Sequence, residues 1–290
     1  MNWMKYRLIY FLVSGIVISA GFFGLIKWGL PLGVDFRGGA LLEYKIDKEI
    51  STEEATQKIE EIGVEVTGIQ RIGDGAYLFR LESIDNIKRD NIKNVLGEMG
   101  GNVEETRFEN VGPSIGPELI KKTVYALAIA AIAILLWITI QFKNIKFGVS
   151  AVLAMLHDSL VLLGIYSLLG HFFGAEADFL FVTAMLTILS FSVHDTIVVY
   201  DRIRESQKKF GGNLYDLANK AVTETMVRSL NNSFTIIFML VALVLLGGTT
   251  VKWFAVALLI GTISGTYSSP FVAVPLLVTW DELQKRVKKS

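Results

Sequence analysis

Residues Leu186–Glu205 read LTILSFSVHDTIVVYDRIRE, an apolar run that passes into a charged end. The run has the length and composition of a membrane helix reaching an interface. Its apolar part holds His194 and Asp195 among Ile, Val and Phe. A carboxylate at bilayer depth costs about 2.5–3.5 kcal/mol on the insertion scale, so it faces a bundle interior or a water path rather than lipid. Asp201 and Arg202 follow about 9 Å further along a helix axis. If they mark the interface, Asp195 lies within the hydrocarbon but away from its centre.

The rest of the composition agrees with a membrane reading. The chain is 52% hydrophobic and only 19% charged, with a mean hydropathy of +0.47. That is too apolar for a soluble domain and fits a polytopic membrane protein carrying a polar insert. The formal net charge is zero, so no overall field attracts nucleic acid. There is no cysteine, which excludes disulfides, thiolate metal sites and a cysteine nucleophile. The first apolar run, Leu8–Ile26, is longer than a signal-peptide core, and its small residues Ser19-Ala20-Gly21 lie inside it. It reads as an anchor that is kept.

Outward from Asp195, the hydropathy pattern predicts six membrane helices. They cover about Leu8–Trp28, Thr123–Phe142, Gly148–Leu169, Phe179–Tyr200, Ser229–Gly247 and Trp253–Val278. The expected divisions are a first helix at 1–30, a polar domain with linkers at 31–118, a five-helix part at 119–280 and a tail at 281–290. A cytoplasmic loop is expected at 201–228. In it, Asn213–Met226 reads as an amphipathic surface helix with Leu214, Leu217, Ala218, Ala221 and Val222 on one side.

In the polar insert, Ala40–Ile46 alternates as a strand. Ser51-x-x-Glu54 has capping-box spacing and opens a helix to about Ile62. Val64–Ile72 and Ala76–Leu81 read as strands about the turn Gly73-Asp74-Gly75. Ser83–Met99 reads as a helix, and Asn102–Val111 as a last strand. The order β-α-β-β-α-β is that of a ferredoxin-like α+β domain, inserted between the first two spans. One small core of this size leaves little room for a large pocket.

Lys and Arg place the termini. Lys5 and Arg7, Lys143 and Lys146, the basic residues of 202–228, and Lys285, Arg286, Lys288 and Lys289 all fall on one side of a six-span chain. The positive-inside rule makes that side cytoplasmic and the insert extracytoplasmic.

Two polar constellations lie in the apolar spans. Arg228, Asn231, Asn232 and Thr235 recur at i, i+3, i+4 and i+7 on one helix face. With Asp195 and His194 on the preceding span, they form a water-wired charge relay or a static ion pair that fixes helix packing, or else Arg228 merely lies in the interface. His157 and Asp158, at mid-span, either line the same cavity or form a structural hydrogen bond. Gly261 and Gly265 make a GxxxG pair, read as close packing. The three histidines lack HExxH spacing, and no P-loop or GxSxG elbow occurs, so neither metal site, cofactor nor enzyme activity is expected.

These residues carry a resemblance. Val34-Asp-Phe-Arg-Gly38-Gly39, Val111-Gly112-Pro-Ser-Ile-Gly116, Leu156-His157-Asp158, Asp195–Glu205 and Gly265-Thr-Tyr-Ser-Ser269 occur in order over nearly the whole chain. The chain resembles the SecF side of the SecD/SecF protein-export family, within the RND superfamily. The resemblance implies use of the transmembrane H⁺ or Na⁺ gradient to promote polypeptide translocation. It gives Asp195 and Arg228 the ion-coupling role and makes His194, Asn231, Asn232 and Thr235 their neighbours. It implies a SecD-like partner, a SecYEG-type channel and unfolded secreted polypeptide as client, in the cell membrane. Motion would pass to the insert through a hinge at Gly38, Gly39, Gly112 and Gly116. Two departures stand out: His194 where the family commonly has Asn, and Arg228-Ser-Leu-Asn-Asn-Ser233 where it has Arg-Thr-x-x-Thr-Ser. The alternatives are a small-molecule or lipid exporter of the same superfamily and a scaffold subunit that moves no ion.

Overall fold

A computed structural model describes residues 1–72, 75–112 and 115–287 of the chain. The tip of the expected Gly73-Asp74-Gly75 turn, and Pro113 and Ser114, lie outside the described residues. The chain forms two compact units, Leu32–Val124 and the remainder.

The smaller unit begins with one helical turn, α2 (Val34–Arg37), after the first long helix, α1 (Arg7–Trp28). It continues as β1 (Gly39–Ile46), α3 (Thr52–Glu61), β2 (Val66–Arg71), β3 (Ala76–Leu81), α4 (Asn86–Gly100) and β4 (Val103–Val111). The strands form one sheet in the order β2-β3-β1-β4, each neighbouring pair antiparallel. α3 starts at Ser51, whose hydroxyl accepts from the Glu54 amide. The same hydroxyl donates to the Glu53 carboxylate at 2.8 Å. α4 starts at Asp85, whose carboxylate accepts from the Lys88 amide at 2.8 Å. The cap thus falls two residues beyond the expected start at Ser83.

β1 and β3 are the central strands. Leu42, Tyr44 and Ile46 of β1 join Tyr77 and Phe79 of β3, Ala55 and Ile59 of α3, and Ile92 and Leu96 of α4 in one core. The opposite side of β1 is partly covered too: Glu43 is buried and lies in register with Arg107 of β4, an opposite-charge cross-strand pair. A register shift follows Glu43, and there the Thr106 hydroxyl donates to the Glu43 carbonyl at 3.1 Å. Gly39 has φ +115°, and a Cβ there would lie 2.6 Å from the Leu81 carbonyl oxygen. Only glycine fits.

The larger unit holds α1 and the long helices α5 (Ile115–Phe142, which begins in the smaller unit), α6 (Ile145–Phe173), α7 (Phe179–Phe210) and α8 (Leu214–Leu246). The last span is α9 (Thr249–Ser268), a π-helical turn at Ser269–Ala273, and α10 (Val274–Val287). Among the described residues, six helical stretches are long and apolar enough to cross a bilayer. Pro270 lies in the π turn. It has no amide hydrogen to give the helical ladder, and π turns insert where that ladder is interrupted.

The expected loop at 201–228 is corrected. α7 runs to Phe210 and α8 starts at Leu214, so the connection is Gly211-Gly212-Asn213. Both glycines have positive φ. The charges read as an interface are instead paired along and between the helices: Arg202 with Glu205 of α7 and Glu224 of α8, and Arg204 with Asp201. Leu217, Ala218, Ala221 and Val222, read as the apolar side of a surface helix, are buried. They pack into the bundle core with Tyr200 and Ile203 of α7.

α6, α7 and the last span are the most buried of the long helices, and close glycine contacts join helices at two crossings. A Cβ on Gly21 of α1 would lie 2.7 Å from the Gly164 Cα of α6. The GxxxG pair of α9 packs on α7, Gly261 against Ile188 and Gly265 against Ser192. Small residues at such crossings let backbones approach.

Candidate functional site

Asp195 points inward from α7 and is 4% exposed. Its Oδ2 accepts a hydrogen bond from the Ser229 hydroxyl of α8. The next residue on α7, Thr196, donates back to the Ser192 carbonyl and meets the Ser269 hydroxyl, each at 3.0 Å. On α8, Ser233 is buried and lies 2.7 Å from the Thr266 hydroxyl of α9. The inward faces of α7, α8 and α9 and the π turn therefore carry several hydroxyls near one carboxyl group, in separate hydrogen-bonded pairs.

The other expected site residues point outward. Arg228, Asn231, Asn232 and Thr235 are exposed on α8, and His194 is exposed on α7. Among the described residues no ion pair joins Asp195 to Arg228. The helix explains this. Neighbouring residues are turned by about 100°, so when Ser229 enters the bundle, Arg228 faces away from it. Asp195 bonds Ser229 where the sequence suggested Arg228. Thr235 satisfies itself by donating to the Asn231 carbonyl at 2.9 Å.

The second pair is more elaborate than its sequence implied. Asp158 of α6 has no exposed surface. Ser192 of α7 and Ser268 of α9 donate to its Oδ2, and Ser264 of α9 to its Oδ1, each at 2.6 Å. The His157 Nδ1 lies 3.0 Å from Oδ1. Three helices thus converge on one carboxylate. The serines were not singled out in the sequence. The signals were faint: Ser192 stands three residues before Asp195, and Ser264 and Ser268 share a helix face at i, i+4.

The four candidate hinge glycines differ. Gly38 and Gly39 have positive φ. Gly116 packs against the Phe36 carbonyl with no space for a Cβ, whereas a Cβ on Gly112 would meet only the tip of Ile115. Among the described residues, no three His, Asp or Glu side chains gather as a metal site.

Two family descriptions match this chain. "Protein export membrane protein SecD/SecF, C-terminal" matches residues 91–283, and the "SecD/SecF GG Motif" matches residues 24–50. The chain belongs to the SecD/SecF family. The protein translocase subunit SecF of Thermobaculum terrenum is 39% identical, over 96% of this chain and 93% of its own. SecF of Anaerolinea thermophila is 36% identical, over 97% and 94%. The crystal structure of SecDF, a translocon-associated membrane protein from Thermus thermophilus, superposes with a TM-score of 0.85 at 30% identity. That match covers 97% of this chain and 39% of the SecDF chain. The chain therefore spans about two-fifths of the fused relative. Within the SecD/SecF family frame, the GG motif is the Gly38–Gly39 entry into β1, and the larger match takes in α6 to α10 with both buried carboxyl groups.

Proposed function

We propose that this chain is the SecF-type half of a protein-export motor that spends a transmembrane ion gradient. The observation that carries the reading is Asp195: a carboxyl group buried inside an apolar bundle, bonded to a hydroxyl of a neighbouring helix and not to a fixed cation. Such a group can exchange a proton or cation without breaking an ion pair, which a purely structural acid does not require. The exposed stripe of Arg228, Asn231, Asn232 and Thr235, with His194 beside it, is unfavourable against lipid. It suits a surface covered by a SecD-like subunit, and in the Bacillus subtilis relative SecF and SecD are named as one chain, SecDF. On partner docking, the Arg228 guanidinium would lie near the path by which the ion reaches Asp195.

The rest of the proposal follows the charge bias of the sequence. Both termini are cytoplasmic, and the small unit, a ferredoxin-like fold by strand order and connection, is extracytoplasmic. It engages unfolded polypeptide leaving a SecYEG-type channel. H⁺ or Na⁺ is the transported species, no cofactor is held and no bond in the client is made or broken.

The test uses the chain purified with its SecD-like partner in sealed liposomes. An imposed proton gradient is followed by internal pH, with a sodium gradient as the second arm. Flux in the wild type and at least a tenfold lower flux in Asp195→Asn, at equal complex content, is the expected result. Equal flux in both proteins would overturn the proposal.

A further inference from the structure

The last span ends as an amphipathic helix. In α10, Leu276, Trp280, Leu283 and Val287 recur at i, i+4, i+7 and i+11, so they share one face. Ser150 and Leu153 of α6 meet this face, and the two helices flank a groove of about 480 Å³. Small-molecule sites usually measure about 300–1,000 Å³. The accessible lining of the groove is mostly apolar. This chain does not close it: Leu153 is 44%, Leu283 55% and Val287 76% exposed. From Leu276 to Val287 the face follows about 16 Å of helix axis, from the apolar part of the last span to its charged end.

The charge has one sign in excess. Lys146 lies one turn before Ser150 on the same side of α6, and it donates to the Asp281 carboxylate at 2.7 Å. Lys285 shares that carboxylate at 2.6 Å. Two cations on one carboxylate leave a positive charge uncompensated. Arg286, on the other flank of α10, is exposed, and among the described residues it has no acidic partner. Glu282 is already matched by Arg7 of α1 at 2.7 Å. The sequence continues with Lys288 and Lys289. The groove thus has an apolar floor and a positive end.

An occupant has to match both parts. A soluble anion would leave the floor bare, and a hydrocarbon chain alone would leave the cations unused. A phospholipid with a net negative headgroup matches both, and basic clusters at the end of a membrane span attract such lipids. We propose that the groove between α6 and α10 is a binding site for an anionic phospholipid of the bilayer. One acyl chain lies along Leu153, Leu276 and Leu283, and the phosphate is held by Arg286 and the cluster of Lys146, Asp281 and Lys285. Trp280 lies between the two parts, at the headgroup level that indole rings favour. A zwitterionic lipid brings its own cation and gains less from this end. The site shares no residue with that of Asp195, so it stands whether or not Asp195 couples an ion gradient.

The test uses the full chain purified with its SecD-like partner, in phosphatidylcholine vesicles doped with a phosphatidylglycerol that carries a diazirine in one acyl chain. A phosphatidylcholine with the same modified chain is the comparison. After irradiation, labelled peptides are mapped by mass spectrometry. Labelling within 150–153 and 276–287 is expected to be about fivefold higher or more for the phosphatidylglycerol probe, the preference that one basic residue near the surface supplies. Lys285→Gln combined with Arg286→Gln should bring it down to the phosphatidylcholine level and leave phosphatidylcholine labelling unchanged. Both side chains are exposed, so the bundle should be undisturbed. Raising salt from about 0.05 M to about 0.5 M should narrow the preference in the unaltered protein, because exposed charges are screened. Leu153→Trp, which fills the groove, should reduce labelling by both probes. Equal labelling by the two probes would make the groove an ordinary lipid contact. An unlabelled groove beside a labelled α5 would mean that protein covers it. Either result overturns the proposal.

Discussion

Ser229 is the residue on which the Asp195 site turns. Its hydroxyl is the hydrogen-bond donor that α8 presents to the carboxyl group, and hydrogen bonds to charged groups are worth about 1.5–3 kcal/mol. Ser229→Ala is therefore expected to lower ion flux by about tenfold while complex assembly is retained, and Ser229→Thr to restore most of it. Flux assays on matched liposomes check both. Arg228→Gln, one residue away but facing out, should leave the fold of the isolated chain within about 0.5 kcal/mol. Its effect belongs to the assembled complex. A second residue-scale expectation concerns the small unit. The Glu53 carboxyl is held below the ordinary glutamate value by its own backbone amide and by the Ser51 and Thr52 hydroxyls. Its folded value is depressed, so its contribution to stability is present above the unfolded value of about 4.3 and is lost as pH falls through the folded value. Ser51→Ala removes both the cap, worth about 1 kcal/mol, and one of those hydrogen bonds. Hydrogen exchange of α3 should show the larger wild-type advantage at neutral pH and a smaller one at pH 3, where only the cap remains.

The α1–α6 crossing is the clearest expectation at the scale of an element. Gly21 and Gly164 meet backbone to backbone, so a side chain has no flexible neighbour to displace. Gly164→Leu should force the helices apart and lower the thermal unfolding temperature of the detergent-purified chain. The overpacking penalty is of the order of 1–3 kcal/mol. Gly15→Leu, at a position where nothing lies within 4 Å, should be close to neutral in the same measurement. Elements also show how far the sequence could be read. The spans were legible because soluble folds seldom contain an unbroken apolar run near 20 residues. The strand and helix order of the insert was legible from alternation and from the Ser51 cap. The region 201–228 was not, because Asp201, Arg202 and the basic residues after them read as a solvated boundary when taken singly, and Glu224, the partner of Arg202, is far along the chain. They stay helical because they pair along and across the α7–α8 hairpin, and the cross-helix contact exists only once both helices are built. The donors to Asp158 were hidden for the same reason. Ser192 and the pair Ser264 and Ser268 lie on two helices other than that of Asp158, and each alone resembles the small polar residues that fill any helix crossing.

At the scale of the molecule, exposure sorts the polar residues of the bundle into two kinds. Asp158, Asp195 and the serines are enclosed by this chain. His194, Arg228, Asn231, Asn232 and Thr235 are not, although the helices that carry them are otherwise apolar enough to face lipid. Exposed Phe234 and Phe238 flank the stripe on α8, so the surface is an apolar field with a polar centre, a composition that suits a permanent subunit contact within the membrane. The chain has no native cysteine, which makes the surface directly measurable. Asn231→Cys should react with a small membrane-permeant maleimide when the chain is expressed alone. Co-expression with a SecD-like partner should slow that reaction at least fivefold. Ile129→Cys, at an exposed position on α5, should keep its rate and serve as the control. Equal slowing at both positions would mean that the partner changes access to the whole bundle. Slowing at Asn231 alone places the partner on the α7–α8 stripe, where the outward Arg228 and the inward Asp195 come under one roof.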